Sequence, residues 1–254
     1  MFPISDRDLT TRSRPIVNFT LIGLCAAIFI YELAIGSSGR FTFFYQFGLI
    51  PAELAHGFNY EFLVTPEGTF DITSPVPNWA TMFTSMFIHG DWMHFAANML
   101  FLWVFGDNIE DRFGHLRYLL FFLAAGVAAS WLQIATDTVS QIPTIGASGA
   151  IAGVLGAYLF LFPYSRITTA VFFFFIVVVR VPALFLLSFW FLLQFFGGIG
   201  DLGPSAQTSG IAYWAHIGGF VFGLAVVVIY KLATHQRLWP KGPEATRYWR
   251  GRPF

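Results

Sequence analysis

Long apolar stretches with few or no charges alternate along the chain with short polar clusters. Each stretch approaches the ~20 residues that a helix needs to cross a bilayer. The pattern predicts helices over 17–35, 92–109, 116–135, 143–162, 182–196 and 213–232. Polar residues and prolines mark their ends: Asp107, Glu110, Asp111 and Arg112 at the end of the second, Asp137, Gln141 and Pro143 leading into the fourth, and Pro163, Tyr164 and Arg166 after it. Residues 167–195 are almost wholly apolar, too long for one crossing, and interrupted by Arg180 and Pro182. Proline suits the first turn of a helix, so the fifth crossing starts there. The β-branched and Phe-rich run 168–179 is then expected to lie along or near the membrane interface. Two longer connections remain. Segment 36–80 is polar and aromatic with four prolines, and segment 197–212 is rich in Gly and Ser, hence expected to be flexible.

Composition strengthens the membrane reading. The 254 residues are 56% hydrophobic and only 11% charged, where soluble domains run near a quarter charged. The net charge of zero suggests no nucleic-acid partner. The single cysteine, Cys25, sits in the first apolar run and reads as a small buried side chain. Lysine and arginine placement sets orientation. With six crossings both termini share one side, and that side holds every one of the 14 basic residues except Arg40. Both termini are therefore expected in the cytoplasm. The expected division is a cytoplasmic N-terminal segment 1–16, a six-helix membrane domain 17–232 with an extracytoplasmic loop 36–80, and a basic tail 233–254 that lies at the lipid surface. A prokaryotic plasma membrane fits the short tail and six crossings best.

Polar residues inside crossings are costly and point to function. Ser148 lies at the outer end of the fourth run, within P-T-I-G-A-S-G-A-I-A-G (143–153), and His216 lies in the sixth, within A-H-I-G-G-F-V-F-G. His94 and Asn98 lie four apart in the second, in H-F-A-A-N, and so share one helix face. The topology brings all four to a similar depth below the outer surface. A serine hydroxyl needs a base to become a nucleophile, and His216 can serve. An oxyanion needs aimed donors, which the Asn98 amide, a His94 ring N–H and the Ser148 backbone N–H can supply. Gly149 and Gly153 on one helix, and Ala215, Gly219 and Gly223 on the other, allow the close helix approach that a Ser–His contact requires.

G-A-S-G, H-F-A-A-N and A-H-I-G-G-F-V-F-G, with the Gly106, Glu110, Gly114 spacing after the second run, resemble the rhomboid intramembrane serine proteases over roughly residues 75–230. The resemblance implies an all-α, six-transmembrane-helix bundle with a Ser–His dyad, cleaving transmembrane segments of other proteins in the lipid bilayer without a cofactor. It makes Ser148 the nucleophile and His216 the base, and matches His94 and Asn98 to the oxyanion side. His89, in F-I-H-G-D, matches a further loop histidine, and Gly146 of G-A-S-G is a possible accessory. Two positions depart from the family pattern: Trp79-Ala80 stands where Trp-Arg is frequent, and Ala152 stands where some members place a tyrosine against the catalytic histidine.

Taken singly, these residues have plainer readings. Ser148 could bond its own helix backbone, and His94 with Asn98 could be an interhelical pair. A zinc site from His89, His94 and His216 lacks carboxylate or cysteine support, and no metal is expected. Glu110 with Arg112 reads as a structural cluster. Trp190 and Phe191, with Phe195, could line a side opening for a membrane-embedded substrate, with 197–212 as a lid. The competing functions are a catalytically inactive relative that binds transmembrane segments, and a transporter. The retained serine and histidine disfavour the first, and the lack of an internal repeat or a midplane carboxylate disfavours the second.

Overall fold

A bilayer offers no water to backbone groups, so an apolar run crosses it as a helix, which satisfies its own N–H and C=O groups. The computed structural model describes residues 2–6, 9, 11, 13–66, 68–172, 175–202, 210–240 and 242. The six expected apolar runs form α1 (Ile16–Ala34), α5 (Trp92–Phe113), α6 (His115–Thr136), α7 (Ser148–Leu161), α8 (Ala183–Gly200) and α9 (Tyr213–Ala233). Of these, α1, α6, α8 and α9 are long and apolar enough to cross a membrane. α7 is apolar but only 14 residues long, and α5 ends in Asp107, Glu110, Asp111 and Arg112.

The core is built around α7, which is buried along almost its whole length and packs against α9, α6 and α5. Its glycines set the spacing. A Cβ at Gly149 would sit 2.7 Å from the Ala129 Cβ, and one at Gly153 would sit 2.5 Å from the Ala125 Cβ, both on α6. On the facing helix, a Cβ at Gly219 would collide with the Gly149 carbonyl oxygen, and one at Gly223 with the Gly153 carbonyl oxygen. The α7 and α9 backbones therefore touch directly, as small residues permit in lipid.

At the opposite end, the Gly106–Glu110–Gly114 spacing has a concrete purpose. The buried Glu110 carboxylate accepts the backbone N–H of Val17 at 2.9 Å and of Asn18 at 2.7 Å. These are orphan donors of the first turn of α1, which no residue of that helix can satisfy. Asn18 in turn donates to the Leu102 carbonyl at 3.0 Å and accepts the Tyr118 hydroxyl at 2.8 Å. A Cβ at Gly106 would strike the Asn18 side chain. Gly114, at φ +80°, makes the turn between α5 and α6. Glu110 is thus structural, as expected, but its partners are the start of α1 and His115.

Two small sheets add to the helices of the all-α reading. β1 (Phe2–Asp6), β4 (Arg166–Phe172) and β5 (Ile176–Pro182) form an antiparallel sheet in the order β1-β4-β5. Within the run 168–179, residues 168–172 and 176–179 thus belong to a strand pair, with Arg166 opposite Pro182 and Phe172 opposite Ile176. Its Thr, Val and Ile residues suit a pleated strand better than a helix. The first residues are tied to the core: the Asp6 carboxylate accepts the Tyr158 hydroxyl of α7 and, at 2.8 Å, that of Ser165. Segment 36–80 is also more than a loop. It holds α2 (Gly36–Phe47), α3 (Pro51–His56), the hairpin β2 (Phe62–Thr65) and β3 (Gly68–Asp71), and the start of α4 (Asn78–Thr84). Leu49 pairs with Thr144 through two backbone hydrogen bonds of 3.1 and 2.7 Å, which braces the segment leading into α7. In the expected flexible connection, residues up to Gly200 continue α8, while 203–209 lie outside the described residues, as do 241 and 243–254 of the tail.

Overpacking at a site with no slack costs about 1–3 kcal/mol. Gly223→Ala should therefore lower the thermal midpoint of the detergent-solubilised protein. Gly23→Ala, in α1 with nothing within 4 Å of its added Cβ, should hold or raise it, since Ala favours helix over Gly by about 1 kcal/mol. Equal effects of the two changes would contradict the close contact of α7 and α9.

Candidate functional site

Ser148 is the first residue of α7, and His216 lies in the first turn of α9. The Ser148 Oγ and the His216 Nε2 are 2.7 Å apart, a direct hydrogen bond between the two helices. The segment entering α7 is fixed by the Gly146 N–H, which donates to the Ser85 carbonyl at 2.8 Å. Gly146 has φ +119°, and a Cβ there would sit 2.5 Å from the His94 Nε2. Only glycine lets the His94 ring approach so closely. Since its N–H is committed to Ser85, Gly146 acts through shape.

Four further side chains surround the pair. The His216 Nδ1 lies 2.8 Å from the Gln194 Oε1 of α8. The Trp190 ring, one turn earlier on α8, lies 5.8 Å from the imidazole with a 39° tilt. Asn98 is buried, and its amide donates to the His94 carbonyl at 2.8 Å. An amide nitrogen carries two hydrogens, so one is left for a ligand. His94, half-buried, is set by the start of α5, where its backbone N–H donates to the Asp91 carboxylate at 2.9 Å. Ser148, His216, His94, Asn98, Trp190 and Gln194 all line one cavity of about 1070 Å³, as large as a drug-sized binding site.

The sequence candidates separate on these grounds. Ser148, His216, His94 and Asn98 converge on the cavity. His89 does not line it. It is fully buried behind His94, with ring centroids 5.3 Å apart, and its backbone N–H donates to the Glu32 carboxylate at 3.2 Å. Neither ring nitrogen of His89 has a hydrogen-bond partner among the described residues. Trp190 lines the cavity, whereas Phe191 stacks on Phe220 at 4.6 Å within the core. Among the described residues no three His, Cys, Asp or Glu side chains are placed to hold a metal ion. Two polar residues were missed in the sequence. Glu32 is buried on α1, and Gln194 is an amide within a largely apolar helix, the signal that marks functional candidates in crossings.

These features define a helical, multi-pass integral membrane protein whose hydroxyl–imidazole pair opens to a cavity. The rhomboid domain matches residues 77–232, which cover the cavity side chains from His94 to His216, and the chain belongs to the rhomboid family. Rhomboid protein 1, mitochondrial, of Saccharomyces cerevisiae is 28% identical over 144 residues, 55% of this chain and 38% of that protein. Rhomboid protease GluP of Bacillus subtilis is 43% identical over 82 residues, 32% of this chain and 16% of that protein. The human presenilin-associated rhomboid-like protein, mitochondrial, is 27% identical over 172 residues, 66% of this chain and 41% of that protein. The chain thus spans less than half the length of these relatives.

Burial, with a smaller contribution from neighbouring His94, pushes the His89 imidazole down to about 4 from 6.5. The unfolded chain then binds more protons than the folded one between those values, so stability falls as pH falls from 6.5 to about 4. A full shift corresponds to about 3 kcal/mol. The thermal midpoint of the wild type should drop more steeply over this window than that of His89→Gln. Parallel slopes would show that His89 titrates as it does in the unfolded chain.

Proposed function

We propose that the chain is an intramembrane serine endopeptidase that cleaves transmembrane segments of other membrane proteins. The observation that carries this reading is the 2.7 Å contact between Ser148 and His216 in a cavity also lined by Asn98 and His94. In the proposed reaction, the Ser148 Oγ attacks the scissile carbonyl carbon as His216 takes its proton. The Asn98 amide, a His94 ring N–H and the Ser148 backbone N–H at the start of α7 stabilise the oxyanion. His216 then gives its proton to the leaving amine, which leaves an ester on Ser148. A water deprotonated by His216 attacks that ester, and the second product departs with Ser148 restored.

The helix length supports a site below the membrane surface. Fourteen residues of α7 rise about 21 Å, against ~30 Å of hydrocarbon. With the far end of α7 at one surface, Ser148 lies about 9 Å inside the other. A membrane-embedded substrate must come from the side. Met93, Ala97 and Phe101 of α5 and Trp190 and Leu193 of α8 line the cavity, and in this reading Trp190 borders that opening, with Phe191 behind it. The reading includes six crossings, a membrane domain over 17–232 and cytoplasmic segments 1–16 and 233–254, on the strength of the Lys and Arg asymmetry. Mitochondrial and chloroplastic proteins stand among the relatives beside a Bacillus one. The family alone therefore does not favour the prokaryotic plasma membrane.

A fluorophosphonate probe applied to the detergent-solubilised protein should label the wild type but neither Ser148→Ala nor His216→Ala. A folded wild type that takes no label would favour a binding-only relative. Asn98→Ala should lower kcat on a reconstituted transmembrane substrate by roughly 10²-fold. A change within about twofold would remove Asn98 from the oxyanion role.

A further inference from the structure

We propose that Gln194 is the positioning residue of the pair: its side-chain carbonyl holds His216 in the tautomer whose Nε2 accepts the Ser148 proton. The inference deepens the protease reading and rests on it for its kinetic consequence. Its geometry stands apart. The Gln194 side chain reaches two groups. Its Nε2 lies 3.4 Å from the Trp190 carbonyl, which can only accept. That contact turns the amide nitrogen toward its own helix and the Oε1 toward His216, 2.8 Å from Nδ1. An amide oxygen can only accept, so Nδ1 carries the hydrogen. A neutral imidazole with a hydrogen on Nδ1 has a lone pair on Nε2. At 2.7 Å that lone pair faces the Ser148 hydroxyl, which donates.

A neutral acceptor suits this position. In the soluble Ser-His-Asp arrangement, a buried carboxylate holds the histidine tautomer. A carboxylate inside a crossing would carry a desolvation cost that an amide avoids. The amide still helps when His216 becomes charged, because the Nδ1–H bond strengthens on a cationic ring. The ionisable groups that share the cavity are His94 and Asp91 on the α5 side, Asp137 after α6, Asp201 after α8 and Tyr213 at the start of α9. None of them is placed at the His216 Nδ1, whose recorded partner is Gln194.

The test compares wild type, Gln194→Met and Gln194→Glu. Met keeps the side-chain length and loses the acceptor, whereas Glu keeps an acceptor and adds charge. Gln194→Met should lower kcat on a reconstituted transmembrane substrate about tenfold, the order of one hydrogen bond, with KM within twofold. Gln194→Glu should recover most of that loss and shift the acid limb of the kcat profile to higher pH, because a carboxylate favours the imidazolium. A merely structural glutamine would not move that limb. The tautomer is read without activity by side-chain nitrogen NMR of ¹⁵N-histidine protein, with His216→Ala used to assign the signal. Wild type should show hydrogen on Nδ1, and Gln194→Met a mixture. Unchanged kcat in Gln194→Met, or hydrogen on Nε2 in the wild type, would overturn the proposal. If Ser148→Ala retains cleavage, the protease reading fails, while the NMR comparison still decides the role of Gln194. If Gln194→Met does not fold, the wild-type tautomer and the Gln194→Glu profile decide it.

Discussion

The structure depends on the direct backbone contact between α7 and α9. In lipid no hydrophobic effect drives helices together, so close packing and polar contacts must do so. The closest points are a Cβ that cannot exist: at Gly219 it would meet the Gly149 carbonyl, and at Gly223 the Gly153 carbonyl. With the backbones at that separation, Ser148 at the start of one helix and His216 near the start of the other need no loop to bring them together. The 2.7 Å contact follows from helix packing. A side chain at any of these glycines would widen the gap by about an ångström or more, enough to lose a hydrogen bond that fades beyond about 3.5 Å.

A second polar constraint, at the other end of α5, keeps that helix in register. Glu110 satisfies the first N–H groups of α1, and Asn18 of α1 answers with the Leu102 carbonyl and the Tyr118 hydroxyl. Such a network is favourable only when its members are paired, since an unpaired buried group costs about 1–3 kcal/mol. Its consequence for the site is indirect. It fixes the height of α5 against α1 and α6, and α5 carries His94 and Asn98 at its opposite end. Gly146 and Gly114, both at positive φ, let the chain turn tightly where α7 begins and where α5 meets α6.

The apolar runs and the small-residue spacing made the helices and the convergence of Ser148, His216, His94 and Asn98 legible, because hydropathy and four-residue spacing report which faces meet. The sheets were harder to read. Val177, Val178 and Val179 continue an apolar stretch that reads only as an interfacial segment, and the pairing of β4 with β5 and β1 shows what their branching favours. Segment 36–80 hid its longest helix because α2 buries none of its residues, and a helix without a buried face carries no apolar period. Gln194 was hidden for another reason. Its partner is 22 residues away on the next helix, and one amide in an apolar run says nothing of direction. His89 resembled a site residue by its neighbours, and the structure buries it behind His94, outside the cavity lining.

Where some members of the family place a tyrosine from α7 against the histidine, this chain has Ala152, buried in the core. Support for His216 comes instead from α8: Trp190 lies against the ring, and Gln194 bonds it. Those residues are four apart and so share one face of one helix. The opposite face of α8 exposes Phe185, Phe189, Leu192 and Phe196, as expected of a helix that borders lipid. A substrate helix that displaced α8 by a few ångströms to reach the cavity would also lengthen the Gln194 bond past its useful range. Under the proposed protease reading, access to Ser148 and the poise of its base would then depend on the same helix. In that same reading, a site that supported His216 from buried α7 would keep the ring oriented whatever position α8 took.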